Sequence, residues 1–95
     1  EEEQRPIGKY GMLRKTFLKE NRVGWYQGMM LEGKLDSHLA DIEEAAAERM
    51  EVLVERLLEK YPAPDKRKDP LAWAAHMNSL TAMAEESVLQ ELVYS

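Results

Sequence analysis

An all-α fold is predicted, a small helical bundle of about four helices completed by dimerisation. Apolar residues recur at steps of three and four along almost the whole chain, the period of a helix buried on one side. No stretch of alternating β-branched residues competes with that pattern. The two longest segments are also apolar over sectors too wide for one neighbouring helix to cover, which calls for a further layer. With 95 residues and 44% hydrophobic content, the chain is one domain with a modest core, too apolar for a disordered tail.

Residues 1–6 are acidic at the start and end in Pro6, and are expected to be a flexible lead-in. The first helix is predicted over 7–21. Tyr10, Leu13 and Phe17 form its apolar side, with Ile7 and Leu18 flanking them. Gly8 and Gly11 each weaken its first turns by up to about 1 kcal/mol. Asn21 to Gly24 reads as a turn, followed by a short helix over 24–32. Gly33 and a candidate N-cap at Asp36 suggest a break, although an unbroken helix from Trp25 to Tyr61 is the alternative. The longest helix is predicted over 36–61, with a stripe of Leu35, Leu39, Ile42, Ala46, Met50, Leu53 and Leu57. Ala40, Ala47, Val54 and Leu58 widen that stripe. Pro62 and Pro64 enforce a loop, and Asp69-Pro70 pairs an N-cap with proline at the first helical position. The last helix, predicted over 70–93, has a main stripe of Trp73, Met77, Leu80, Ala84 and Val88. Leu71, Ala75, Ala82, Leu89 and Val93 give it a second apolar side.

Charge is divided by position. Residues 4–34 hold Arg5, Lys9, Arg14, Lys15, Lys19, Arg22 and Lys34 against Glu20 and Glu32, a net of +5. Residues 35–60 carry a net of −5, so the overall −5 conceals a basic head on an acidic body. Such asymmetry bears on partners rather than on fold. Cysteine is absent, which excludes disulfides and thiolate metal sites. No apolar run approaches the roughly 20 residues of a membrane span, and no cationic leader opens the chain. A cytoplasmic location follows by default. The chain does not begin with Met, and we expect it to be a piece of a slightly longer protein.

Few residues invite chemistry. His38 and His76 are the only histidines and lack companion ligands at helical spacing, so no metal, cofactor or catalytic residue is expected. Lys15, Lys19 and Arg22, at i, i+4 and i+7, lie opposite the apolar side of the first helix, and Arg14 and Lys9 add charge at its edges. These five are the candidate nucleic-acid contacts, through phosphate and without base readout. Asp41, Glu44, Glu48, Glu51, Glu55 and Glu59 form an acidic ridge, either a solvated face or a counterpart for a basic surface. Arg49 and Arg56 edge the long helix's stripe, where their stems can cover apolar surface or pair across a seam, for example with Glu85 or Glu86. Together with Leu58 and Leu89 they are the candidate dimer interface.

Three segments resemble a known family. They are Pro6-Ile7-Gly8-Lys9-Tyr10-Gly11-Met12-Leu13-Arg14, then Gly33-Lys34-Leu35 with His38-Leu39, and the ending from Met77-Asn78-Ser79 through Ala84-Glu85-Glu86 to Glu91-Leu92-Val93-Tyr94-Ser95. In these the chain is similar to the TnpV family of small transposon-encoded proteins, over essentially its whole length. The resemblance implies the cytoplasm of a bacterium and neighbouring genes that move DNA, with no catalytic residue to carry over. The expectation is a non-enzymatic accessory protein of a mobile element that binds DNA or the element's recombinase. A helical dimer that binds only protein is the alternative.

Overall fold

The computed structural model describes residues 4–95, which form α1 (Lys9–Asn21), α2 (Val23–Glu32), α3 (Leu35–Lys60) and α4 (Pro70–Val88), with no strand among the described residues. A π-helical turn (Leu89–Val93) continues α4, and Tyr94 N–H closes it on the Leu89 carbonyl at 2.8 Å. The four expected helices are therefore present. The lead-in expected over residues 1–6 lies partly outside the described residues.

Local chemistry explains the boundaries. Gly33 ends α2 in the left-handed conformation, at φ 69°, which a glycine adopts without a Cβ penalty. Its N–H bonds to the Met30 carbonyl and the Lys34 N–H to the Met29 carbonyl, the paired closure of a Schellman ending. The unbroken helix from Trp25 to Tyr61 is thereby corrected. Asp36 is not the cap of α3, because the helix starts one residue before it, at Leu35, after Lys34. At α4 the expected cap forms, with Asp69 Oδ1 accepting from Ala72 N–H at 3.0 Å and Pro70 opening the helix.

α1 lies antiparallel on the N-terminal half of α3. A Cβ on Gly11 would stand 3.0 Å from the Leu39 carbonyl and 2.5 Å from Ile7 Cγ2, so the close approach needs the glycine. The buried side of α1 is Gly11, Arg14 and Leu18, rather than Tyr10, Leu13 and Phe17, which are half-buried. Leu18, Leu35 and Leu39 pack together, with Ile7, Tyr26 and Met29 against them. The buried residues of α3 all precede Glu48, and those of α4 all follow Ser79. α3 and α4 pair as an antiparallel hairpin, so the core sits at one end of a molecule 55 × 26 × 19 Å. Leu53, Val54, Leu57, Leu58, Trp73 and Met77, at the other end, are only half-buried. There the hairpin has no third layer among the described residues.

Candidate functional site: the first helix and its surroundings

The five predicted cations divide according to where α1 turns them. Arg14 faces inward and is 4% exposed. Its Nη1 donates to the carbonyls of Val93 (3.1 Å) and Ser95 (2.8 Å), and its Nε donates to His38 Nε2 at 3.2 Å. A buried guanidinium is tolerable only when its donors are satisfied, and here they hold the end of the π-helical turn. Desolvation, and then the charge of Arg22, lower its pKa. Because Nε2 accepts, the His38 imidazole is neutral with its proton on Nδ1. Burial and the Arg14 charge lower the His38 pKa, with Asp41 opposing.

Lys9 is engaged as well. Its Nζ lies 2.8 Å from Glu85 Oε2, and the Tyr10 hydroxyl donates to the same oxygen at 3.0 Å. The Lys9 hydrogen bond, helped by that of Tyr10, holds the Glu85 carboxyl below its usual range against the opposing effect of burial. Burial, then the bond to Glu85, push the Tyr10 hydroxyl up to about 12. A second carboxylate, on Glu43, reaches the start of α1 and accepts from Gly11 N–H at 2.9 Å. Negative charge among the unpaired N–H groups of a helix start is favourable. Glu43 was not singled out from the sequence, where it reads as one more acid in a charged helix.

Lys15, Lys19 and Arg22 remain at the surface, with Lys15 half-buried and the other two exposed. None has an ion pair among the described residues. Lys19 Nζ sits 5.9 Å above the Tyr26 ring and the Arg22 guanidinium 5.5 Å above Phe17, which in turn meets Tyr94 at 5.6 Å between centroids. The acidic ridge meets basic charge at one end, where Arg5 Nη1 lies 2.7 Å from Asp41 and 3.1 Å from Glu44. Glu48, Glu51, Glu55 and Glu59 are exposed.

The candidate interface set is also divided. Arg49 pairs with Glu91 at 3.3 Å rather than with Glu85 or Glu86, and Glu85 pairs with Lys9. Arg56 is exposed, and Leu58 and Leu89 are half-buried within the chain. Among the described residues, no three His, Asp or Glu side chains come together as metal ligands, and His76 Nε2 lies 2.7 Å from the Tyr61 carbonyl.

Sequence reasoning places the short helix over 24–32 but misses how exposed α2 is. It has no buried residue, and Val23, Trp25, Met30 and Leu31 all stand exposed, Leu31 at 90%. The signal was available in the near absence of charge, since Glu32 is the only ionised side chain between Val23 and Gly33.

The family model for the transposon-encoded protein TnpV matches residues 1–93. The chain belongs to the TnpV family. The match spans α1 to the end of the π-helical turn and so includes every residue of the Arg14 cluster except Ser95. No curated protein and no solved structure matches the chain. None of the described helices is long and apolar enough to cross a membrane.

Proposed function

We propose that this TnpV chain is a non-enzymatic accessory protein of its mobile element that works by contact with protein, the element's recombinase being the first candidate partner. Family membership supports the transposon context. The observation that carries the reading is the apolar surface left uncovered at both ends of the molecule, where Leu31 is 90% and Leu71 83% exposed. Exposed apolar patches mark contact surfaces, and Leu31 shares a hollow with Met30 on α2, where Trp25 is exposed as well. Phosphate binding has correspondingly less to work with, since Arg14 is buried and Lys9 is neutralised by Glu85.

A second reading, DNA contact, is favoured by Lys15 and Lys19 of α1 and by Arg22 at its end, which have no ion pair among the described residues. Affinity capture of the tagged chain from cells carrying the whole element, with nuclease added, separates the two. A protein encoded by the element should be retained after nuclease and lost when Leu71→Glu is introduced. Recovery that disappears with nuclease, or with alanine at the three cations, would replace the protein reading with the DNA one.

A further inference from the structure

We infer that the loop joining α3 to α4, together with Leu71, is a docking surface for an acidic segment of the partner protein. The inference rests on the reading of Leu71 as a protein contact and deepens it by giving the partner's segment its charge.

The loop carries three consecutive cations, Lys66, Arg67 and Lys68, all exposed. From Lys60 to Ala84 the chain holds these three and Lys60 against Asp65 and Asp69, a net of +2 on a molecule of −5. Both acids fold the turn and bond to backbone. Asp65 Oδ1 accepts from the N–H groups of Arg67 at 2.8 Å and Lys68 at 3.3 Å, and Asp69 Oδ1 accepts from Ala72 N–H at 3.0 Å. None of the three cations has an ion pair among the described residues. Their positions are set by the chain itself. Asp69 N–H bonds to the Asp65 carbonyl at 2.9 Å, and Lys66 Nζ lies 4.3 Å from the centroid of the Trp73 ring. A surface ordered in advance leaves less freedom to be lost when a partner docks.

The apolar part of the surface adjoins this turn. Leu71 stands three residues after Lys68, on the first turn of α4, and is 83% exposed, while Tyr61 at the other end of the loop is exposed too. An apolar anchor bordered by fixed cations fits a partner that brings an apolar side chain and carboxylates together. The Arg67 guanidinium adds a planar fork that matches a carboxylate. Other occupants fit less well. Phosphate contact makes no use of Leu71, and an anionic lipid surface repels a chain of net −5. A two-fold contact between copies at this tip would set the same cations against each other. The acids at the end of α3, Glu55 and Glu59, lie on the side of that helix opposite Leu53 and Leu57.

Overlapping synthetic peptides covering the proteins that the element encodes, titrated against the labelled whole chain, test the inference. The peptides that bind should be acidic and carry apolar residues. Arg67→Glu combined with Lys68→Glu should raise their dissociation constants by about tenfold or more, as should Leu71→Glu. Exchanging the carboxylates of a bound peptide for lysine should restore binding to the charge-reversed chain and abolish it for the wild type. Both substituted loop residues are exposed, so the variant should melt with the wild type, and loss of binding is then not loss of fold. Bound peptides that are neutral or basic, binding indifferent to the charge reversal, or no bound peptide at high micromolar concentration would each overturn the inference. So would a best-binding peptide drawn from this chain's own acidic ridge, or preference for duplex DNA or phosphatidylglycerol vesicles over every acidic peptide. In the capture experiment, retention that is lost with Leu71→Glu but kept with the loop reversed would overturn this inference alone. Nuclease-sensitive recovery would instead overturn the protein reading beneath it.

Discussion

Arg14 shows how one side chain can change meaning between sequence and structure. In the sequence it is one of a run of cations. In the fold it bonds to His38, Val93 and Ser95 and ties α1 to α3 and to the end of the chain's last helical turn. Replacing it with Met keeps much of the length but leaves those acceptors unpaired. Hydrogen bonds to a charged group contribute about 1.5–3 kcal/mol each, so urea denaturation should show a loss of at least that size. Arg14→Lys should recover little, because an ammonium cannot present the planar fork that reaches three acceptors. His38 adds a pH dependence. Its folded pKa lies below the ordinary value of 6.5, so the unfolded chain binds the proton more readily. Stability from this group is complete above about 6.5 and is lost as pH falls through the depressed folded value. Denaturation midpoints should fall on acidification through that window, and less so in His38→Gln, which keeps an acceptor but does not titrate. An unchanged dependence in that variant would assign the effect elsewhere.

The helices themselves were largely legible, because three- and four-residue spacing, Asp69-Pro70 and Gly33 are local signals that act where they stand. What was not legible depended on contacts between helices. The inward side of α1 is set by the Gly11 approach to Leu39 and by the needs of the π-helical turn, neither of which leaves a trace in the hydropathy of α1. Glu43 is likewise a cap delivered from another helix. Gly11 and Gly24 make the contrast testable. Both are helical glycines, and local propensity alone would have Ala improve either by up to about 1 kcal/mol. Gly11→Ala should instead destabilise by about 1–3 kcal/mol, since the new methyl meets the Leu39 carbonyl at 3.0 Å. Gly24→Ala should stabilise the dilute chain, because nothing lies within 4 Å of its Cβ. Thermal melts of the two variants at low concentration should therefore shift in opposite directions.

At the scale of the whole molecule, the basic head and acidic body read from the sequence survive in the fold, but the head is less basic outside than its composition implies. Arg5, Lys9 and Arg14 are each engaged with groups of the chain, leaving Lys15, Lys19 and Arg22 without an ion pair among the described residues. Apolar surface, by contrast, is more exposed than the sequence suggested, on α2 and at Leu71. The molecule's surface chemistry is on this reading directed at protein. A titration of labelled duplex DNA with the chain at about 50 mM salt, repeated at rising salt, measures the alternative most directly. No saturable binding is the result expected of an acidic molecule whose head leaves these three cations without an ion pair. Saturable binding with a log–log salt slope near −3, about −0.9 for each of three phosphate contacts, and abolished by alanine at Lys15, Lys19 and Arg22, would contradict it.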